Sequence, residues 1–429
     1  MRVSVVNLGC KVNRVESDQF IVELEDLGHH IVQEEDAQAI ILNTCSVTQE
    51  ADKKTRKSVR HLASLPAHPK VYVTGCSAML HKEELEALAD NVEVYLFKQE
   101  IVSYITSQAT EEDDDFDEDA YQSPSISKED LGTRRLGLKI QDGCDNRCTY
   151  CIIWKARGKA VSYKPDLILE RVNKAVGAGA EEMVLTGINL GSYSYEYEGK
   201  TLNLSSLIKL ILDKTDIKRL RLSSIEPLDV TDELIDTIKT HSHRICQHLH
   251  MSLQSGSEKT LKEMARIYTA RQFREIVLKL KEKLPDMALS TDVIVGFPGE
   301  SDEDFLESFN FCKEMGFSKI HVFRYSKRQG TIAAARKDQV PSQVISERAK
   351  RMRELSDEMR LEDAERRLGS KEAVIIEHKG QGTSESYHKV KVSNLDESVQ
   401  VGDLVLAQFD SINEQGQIIA HYLGPAYSL

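Results

Sequence analysis

The chain has 429 residues, enough for two or three domains with their own apolar cores. Its composition is that of an ordinary globular protein, and no apolar run is long enough to span a membrane, so we expect no transmembrane segment. The net charge of −13 argues against a nucleic-acid partner, but the acidic run EEDDDFDED at residues 111–119 supplies much of it, and basic clusters such as residues 53–60 leave RNA contact open.

The N-terminus and the cysteine content indicate the compartment. The first residues, MRVSVVNLGCKVN, lack the apolar run and small-residue cleavage site of a signal peptide, so a cytoplasmic location is expected. The chain has eight cysteines, and the cytosol keeps thiols reduced, so a disulfide framework is not expected. Buried thiols or metal ligands are the better interpretations.

Residues 1–108 alternate between strand and helix patterns. Three apolar runs, RVSVVNLG, AIILNT and KVYVTG, are each followed by a helical pattern, which predicts a parallel sheet. Each run ends in a cysteine, namely Cys10, Cys45 and Cys76. Because the carboxyl ends of parallel strands meet at one edge of a sheet, we expect these thiols to converge there. A metal site is favoured over a chance placement of three buried thiols.

A polar, acidic linker is predicted at residues 109–130. Residues 131–367 then resume the strand–helix pattern and end in a long polar helix. Six such units predict a complete or partial barrel, expected here as a partial (β/α)6 barrel. Residues 368–429 contain short β runs without helical patterns, which predicts a small antiparallel β-barrel of a type that often binds nucleic acid. The predicted fold class is therefore α/β with three domains.

The segment GCDNRCTYC contains three further cysteines, Cys144, Cys148 and Cys151. A structural zinc site normally takes four protein ligands, and a [4Fe–4S] cluster normally takes four thiolates. Three thiolates would leave one iron free to bind another group. The segment follows directly after a predicted barrel strand, where catalytic loops belong. A zinc knuckle and incidental thiols are the alternatives.

The C-x3-C-x2-C spacing, with Tyr150 before the last cysteine, resembles the signature of the radical S-adenosylmethionine (SAM) superfamily. Further motifs resemble its methylthiotransferases, namely NLGCKVNRVESD, NTCSVT, VTGCSA, LTGINLG, SSIEPLDVTDEL, HLHMSLQSGS, MARIYTARQF and TDVIVGFPGE. The C-terminal barrel resembles the TRAM domain, an RNA-binding module. The resemblance implies that Cys144, Cys148 and Cys151 hold a [4Fe–4S] cluster whose open iron chelates SAM, and that one electron then splits SAM to give a 5′-deoxyadenosyl radical.

The same resemblance implies a second [4Fe–4S] cluster at Cys10, Cys45 and Cys76, with chemistry at the two clusters rather than at a conventional catalytic residue. SSIEP resembles the branch that acts on tRNA carrying N6-threonylcarbamoyladenosine at position 37, where the enzyme adds a methylthio group to C2. The implied partners are the tRNA anticodon stem-loop and an electron donor such as flavodoxin or ferredoxin, with no membrane, and the chain is expected to be a monomer. The residues expected near SAM are Gly187, Glu226, Ser252, Gln254, Arg266 and Ile294.

Several alternatives stay open. The same chemistry could act on isopentenyladenosine tRNA or on an aspartate of a ribosomal protein. The chain could also be a one-cluster radical SAM enzyme, or an RNA-binding protein with a structural cluster. Asp145 and Trp154 depart from the family pattern, and the C-terminal barrel has only four Lys/Arg against eight Asp/Glu. Since phosphate contact needs cations, other basic residues would share RNA binding, such as Arg56, Arg135, Lys155 and Arg157.

Four histidines and two further cysteines match no predicted site. The segment THSHRICQHLH contains four histidines, but His248 and His250 share one face of a strand and a metal site is not favoured. Cys246 and Cys312 match no motif and are expected to be ordinary buried thiols.

Overall fold

The structure, a computed structural model, describes residues 1–109 and 135–427. It divides into two compact units. The described part of the first comprises residues 1–109, 143–145 and 151–159, and that of the second comprises residues 135–142, 146–150 and 160–427. The predicted acidic linker, residues 109–130, lies outside the described residues except for its first residue. In the described ranges, no helix combines the length and the apolarity needed to cross a membrane.

The first unit contains a five-stranded parallel sheet with strand order β2-β1-β3-β4-β5. Its strands are β1 (Arg2–Asn7), β2 (His30–Ile31), β3 (Ala39–Thr44), β4 (Lys70–Gly75) and β5 (Val92–Val94). Its helices are α1 (Lys11–Asp26), α2 (Gln49–Ala63), α3 (Cys76–Leu80), α4 (Lys82–Glu86), α5 (Ile101–Ser107) and α6 (Ile153–Arg157). The predicted parallel sheet is confirmed.

Burial explains the strand and helix patterns of this unit. All six residues of β3 are buried, as expected for a central parallel strand covered on both faces. Helix α1 buries one face through Val12, Phe20 and Leu24. The side chain of Thr48 accepts a hydrogen bond from the Ala51 N–H and so caps α2.

The second unit contains two parallel sheets, ordered β12-β9-β6 and β13-β14-β15-β16. A bridge between Leu220 and Ile245 links them. Six principal parallel strands thus form an open barrel, which confirms the predicted partial (β/α)6 barrel. The strands are β6 (Arg135–Lys139), β7 (Gln141–Asp142), β8 (Val161–Ser162), β9 (Glu182–Thr186), β10 (Ser194–Tyr197), β11 (Lys200–Asn203), β12 (Arg219–Leu222), β13 (Ser224–Ile225), β14 (His248–Gln254), β15 (Ala288–Val295) and β16 (Lys319–Arg324).

Helices cover the outer face of this barrel. They are α7 (Pro165–Gly177), α8 (Leu204–Lys214), α9 (Asp232–Thr240), α10 (Glu258–Glu263), α11 (Ala270–Lys283), α12 (Asp302–Met315), α13 (Ile332–Ala335) and α14 (Ser342–Arg366). Leu249, Met251 and Leu253 alternate along β14 and belong to the apolar core against these helices. The residues between them, including His250 and Ser252, therefore face the interior of the barrel.

The C-terminal region is a closed barrel with strand order β17-β18-β19-β21-β20, which confirms the predicted small β-barrel and is consistent with a TRAM domain. The barrel is not wholly antiparallel as predicted, because β19 and β21 pair in parallel, whereas its other four strand pairs are antiparallel. Its strands are β17 (Lys371–His378), β18 (Gln381–Ser384), β19 (Lys389–Ser393), β20 (Leu404–Ile412) and β21 (Ile418–Pro425). One strand, β18, was not among the predicted β runs, because its sequence QGTS has no apolar alternation.

Buried arginines join this small barrel to the parallel strands. Arg219 and Arg221 both bind the carboxylate of Glu182, with N···O distances of 2.5 and 2.9 Å. Arg219 also donates to the Ala373 carbonyl at 2.8 Å, and Arg221 donates to the Ser384 carbonyl at 2.9 Å. These charge-assisted hydrogen bonds satisfy backbone groups of the small barrel and fix its position against β9 and β12.

Candidate active site

The first group of three cysteines lies at one edge of the N-terminal sheet. Cys10 is the N-cap of α1, Cys45 follows β3, and Cys76 is the first residue of α3 after β4. The strands β1, β3 and β4 are neighbours, and their last residues pair in register, Asn7 with Asn43 and Thr44 with Gly75. The topology therefore brings the three cysteines to the same edge, as the sequence predicted.

The Cys45 thiol lies in a buried setting beside the other two thiols. Burial, together with Cys10 and Cys76, raises the pKa of the Cys45 thiol to about 11, while a hydrogen bond from the Val47 backbone and the charge of Arg157 oppose the shift. Cys45 and Cys76 are buried and Cys10 is exposed, and all three are free thiols. The Cys10 Sγ donates to Asn13 Oδ1 at 3.2 Å.

A buried polar network supports the three thiols. Asn13 Nδ2 donates to Asn43 Oδ1 and to the Thr44 carbonyl, both at 2.9 Å. Glu16 accepts hydrogen bonds from two cations, Lys98 and Arg157. Two positive charges thus share one carboxylate beside the three thiols.

This environment fits a thiolate-bound cluster. Arg157 already donates to the Cys76 sulfur at 3.3 Å, and Lys98 brings a second positive charge near the same thiol. Thiolates held by iron would be stabilised by these two cations. Among the described residues, no three Cys, His, Asp or Glu side chains already surround one metal position, so the fit is one of donor chemistry and charge.

In the second unit, Arg266 connects three residues of the other candidate site. Its Nη1 donates to Cys148 Sγ at 3.1 Å, and its Nη2 forms an ion pair with Glu226. Its Nε donates to the Tyr268 hydroxyl at 3.2 Å. That hydroxyl in turn donates to the Ser252 carbonyl at 2.5 Å, so the guanidinium is linked to the end of β14 as well.

An apolar cluster flanks the same cysteine segment. Met264, Phe297 and Ala333 are fully buried, and Tyr150 and Ile294 pack against them. The segment is also held through its backbone, since the Thr149 N–H donates to the Met264 carbonyl at 3.0 Å. A low-polarity wall therefore lies beside Cys148.

The remaining predicted SAM contacts differ in their surroundings. A Cβ at Gly187 would lie 2.9 Å from Gln141 Oε1, which also accepts a hydrogen bond from the Asn189 N–H at 2.9 Å. Gln254 ends β14 with φ at +65°, a conformation that is uncommon outside glycine. The structure therefore links Glu226, Ser252 and Arg266 to Cys148 through hydrogen bonds, and Ile294 to Tyr150 through a shared apolar cluster.

A second carboxyl group lies near Glu226. Burial, together with the charge of Glu226, raises the pKa of Asp229 to about 6. This carboxyl was not among the residues predicted to form the site.

Histidines occupy the interior face of the central strands. His250 Nε2 lies 3.2 Å from Asp292 Oδ2, and its ring meets that of His321 edge-on at 5.3 Å between centroids. Burial, reinforced by the nearby His250, lowers the pKa of His321 to about 4, so this ring is neutral at pH 7. His248 and His250 both bond to the Ser290 hydroxyl. These contacts make a polar layer inside the barrel.

Comparison with known proteins identifies the family. The radical SAM superfamily matches at residues 138–312, and the family described as "Uncharacterized protein family UPF0004" matches at residues 2–96. The chain is 34% identical to the threonylcarbamoyladenosine tRNA methylthiotransferase MtaB of Thermotoga maritima over 97% of this chain and 96% of the relative. It is 38% identical to MtaB of Bacillus subtilis over 84% and 82% of the two chains. The chain belongs to the radical SAM methylthiotransferase family.

Other relatives carry a different substrate in their names. The tRNA-2-methylthio-N(6)-dimethylallyladenosine synthase of Thermoanaerobacter pseudethanolicus is 33% identical over 86% of this chain and 80% of that protein. Among solved structures, the radical SAM methyltransferase TsrM of Kitasatospora setae, with cobalamin and a [4Fe–4S] cluster bound, matches with a TM-score of 0.54. That match covers 78% of this chain and 77% of TsrM at 12% identity, so it supports the fold alone.

Membership of the radical SAM methylthiotransferase family confirms three predictions. The chain is a transferase, it has the α/β fold of the family, and its cofactors are SAM and [4Fe–4S] clusters. The roles of individual residues at these cofactors stay predictions.

The sequence interpretation missed the residues that surround the cysteines. Around Cys76 these are Asn13, Glu16 and Lys98, and near Glu226 they are Asp229 and Tyr268. Asn13 and Glu16 lie within the motif NLGCKVNRVESD, three and six residues after Cys10. Their spacing on one face of a helix was the available signal.

Proposed function

We propose that this methylthiotransferase adds a methylthio group to C2 of N6-threonylcarbamoyladenosine at position 37 of tRNA, using two [4Fe–4S] clusters. The observation that carries the proposal is the presence of two separate groups of three cysteines in a chain that matches the MtaB relatives over most of its length. In each group, one thiol accepts a hydrogen bond from an arginine, at Cys76 and at Cys148.

In this proposal, Cys144, Cys148 and Cys151 hold the cluster that binds SAM, and Cys10, Cys45 and Cys76 hold the second cluster. When bound, these groups supply the one-electron cleavage of SAM and the sulfur-transfer chemistry. The protein's own contribution is to bind, orient and exclude water. Arg266 fixes Cys148 relative to Glu226, and the apolar cluster around Ile294 shields the same segment from water.

The SAM contacts belong to the proposal as well. Glu226 is held in place by Arg266, and Ser252 is held through its carbonyl by Tyr268, so both lie on a rigid frame near the carboxyl ends of barrel strands. Ile294 and Tyr150 both pack against one apolar cluster, which suits the flank of an adenine ring. Gly187 and Gln254 complete the proposed SAM contacts.

The proposed substrate is the anticodon stem-loop of tRNA, with the target base unstacked, as recognition of single-stranded RNA usually requires. Helix α2 supports this proposal, because Lys53, Lys54, Lys57 and Arg60 are exposed on it. A tRNA substrate would place the enzyme in the cytoplasm, where flavodoxin or ferredoxin would act as its electron donor and the chain would act as a monomer.

Nucleoside mass spectrometry tests the substrate directly. The chain is expressed in a host that lacks its own enzyme, and nucleosides from total tRNA are compared with those from the host carrying an empty vector. A matched control is the same chain with Cys148→Ala. We expect the 2-methylthio derivative of N6-threonylcarbamoyladenosine only with the unsubstituted chain.

Two other outcomes would overturn the substrate assignment. A methylthio group on isopentenyladenosine would keep the chemistry and move the chain to the substrate named for the Thermoanaerobacter relative. No methylthio nucleoside in a host that holds both precursors would reject both tRNA substrates. The ribosomal-protein aspartate would then be examined by mass spectrometry of the ribosomal proteins.

A further inference from the structure

Arg157 lies against the N-terminal thiols. The sequence had suggested it as a surface cation for RNA, but only 6% of its side chain is exposed. It ends the short helix α6, six residues after Cys151 in the chain. Its guanidinium therefore has a role inside the first unit.

The guanidinium donates in three directions. Its Nε donates to Cys76 Sγ at 3.3 Å, its Nη1 donates to Glu16 Oε1 at 2.7 Å, and its Nη2 donates to Asn13 Oδ1 at 3.2 Å. Asn13 also accepts the hydrogen bond from Cys10 Sγ. The planar fork of one arginine thus reaches Cys76 directly and Cys10 through one amide.

Arg157 has a second cation beside it. Lys98 Nζ lies 2.5 Å from Glu16 Oε2, so Arg157 and Lys98 share one carboxylate. Burial lowers the pKa of Lys98, whereas Glu16 raises it. Two cations therefore lie beside the thiols, in a site where less than a tenth of the side chains of Glu16 and Arg157 is exposed.

We propose that Arg157 is a positioning residue that raises the reduction potential of the cluster held by Cys10, Cys45 and Cys76. Its hydrogen bond to the Cys76 sulfur and its positive charge both favour the reduced, more negative state of the cluster. Hydrogen bonds to cluster sulfurs and local net charge are the protein's main means of setting such potentials. This inference rests on the proposed function, which assigns a cluster to these three thiols.

The test uses the full chain with Cys144, Cys148 and Cys151 replaced by Ala, so that only the N-terminal cluster can be loaded. The cluster is reconstituted anaerobically and reduced by one electron with titanium(III) citrate at a series of fixed potentials. The reduced fraction is followed by electron paramagnetic resonance. Iron content and thermal unfolding are measured on each variant to confirm that it is loaded and folded.

Two substitutions separate the hydrogen bond from the charge. Arg157→Gln removes the positive charge, and we expect the reduced-to-oxidised ratio at a given potential to fall about tenfold, or about 59 mV for one electron. Arg157→Lys keeps the charge but loses the fork that reaches the sulfur, so we expect a smaller shift in the same direction. Lys98→Met removes charge without a contact to sulfur and should also shift the potential downward.

The matched control is Lys155→Gln, which removes an exposed cation from the same helix two residues earlier. It should leave the potential unchanged. A purely structural role for Arg157 would lower iron content or thermal stability without moving the potential of the chains that do load. Loaded Arg157→Gln and Arg157→Lys chains with the potential of the parent would therefore overturn the inference.

If the Arg157→Gln chain does not bind a cluster, the reduction potentials of the Arg157→Lys and Lys98→Met chains are compared with that of the parent instead. Potentials equal to that of the parent would overturn the inference. If the parent chain with only the N-terminal thiols forms no cluster, both this inference and the two-cluster part of the proposed function fail. If that cluster forms but its potential is insensitive to Arg157, only the inference fails.

Discussion

The two cysteine sites use the same contact in different electrostatic settings. In the first unit, Arg157 donates to Cys76 and binds Glu16, and Lys98 adds a second cation. In the second unit, Arg266 donates to Cys148 and binds Glu226. An arginine–carboxylate pair therefore holds one cysteine in each site.

The difference lies in what surrounds each pair. The first site has two cations that share the carboxylate of Glu16, together with the amides of Asn13 and Asn43. The second has one cation near two carboxyls, Glu226 and Asp229, and an apolar wall. Two cations beside the thiols suit an anionic thiolate site. One cation beside two carboxyls suits the site that we propose for SAM, whose sulfonium is itself positive.

The largest expected effect comes from removing the thiols of either site. With Cys144, Cys148 and Cys151 replaced by Ala, we expect SAM cleavage to be lost and iron to fall from about eight to about four atoms per chain. With Cys10, Cys45 and Cys76 replaced by Ala, iron should fall equally, but SAM cleavage should continue without methylthiolation. Iron analysis and anaerobic cleavage assays check both variants. If the chain with Cys10, Cys45 and Cys76 replaced by Ala keeps the iron content of the parent, these three thiols hold no cluster and the chain is a single-cluster enzyme.

The positions of the cysteines could be predicted from the sequence, whereas the residues around them could not. Cys10, Cys45 and Cys76 each follow an apolar run, and parallel topology alone brings them to one edge. Lys98 and Arg157 reach Glu16 from 82 and 141 residues away in the chain, and no local pattern encodes such a contact. Arg266 was predicted as a SAM contact, but its polar contacts in the structure are with Cys148, Glu226 and two tyrosines.

Missed elements have a similar physical cause. The hairpin of β10 and β11 escaped prediction because its strands are only four residues long and alternate between exposed and half-buried residues, so they form no buried apolar run. Its turn at Glu198 and Gly199 has φ of +49° and +75°, and the dipeptide Glu-Gly was its only sequence signal. Apolar periodicity found the core strands, and polar surface strands fall outside what that signal can detect.

The second-largest effect is expected from breaking the ion pair between Arg266 and Glu226 in the second site. Arg266→Met leaves the carboxylate of Glu226 without its cation, and removing one partner of a buried pair costs about 3–5 kcal/mol. Chemical denaturation of the cofactor-free chain measures this loss. The control is Arg271→Met, whose pair with Glu275 is 83% and 58% exposed and should cost at most about 1 kcal/mol.

A second substitution sharpens the same test. Adding Glu226→Leu to Arg266→Met removes the unpaired carboxylate, so the double variant should regain part of the lost free energy of unfolding. A double variant no more stable than Arg266→Met would show that Arg266 acts through its packing on Tyr268, 4.9 Å from the ring centroid, rather than through the ion pair.

The smallest effect concerns the excess of carboxyls in the second site. Because the folded pKa of Asp229 is raised from 3.8 to about 6, its protonated form is favoured by folding. This contribution to stability is fully present below the unfolded pKa and is lost as the pH rises through about 6. Relative to an Asp229→Asn variant, which cannot titrate, the parent chain should therefore lose thermal stability between about pH 4 and pH 6.

Asp232 gives a control of opposite sign, since hydrogen bonds from Lys279 and Lys283 lower its pKa. Relative to Asp232→Asn, the parent should lose stability as the pH falls through the lowered pKa. Thermal unfolding of the three cofactor-free chains from about pH 2 to about pH 7 measures both trends. A parent-to-Asp229→Asn difference that stays constant between about pH 4 and about pH 7 would contradict a buried carboxyl coupled to Glu226.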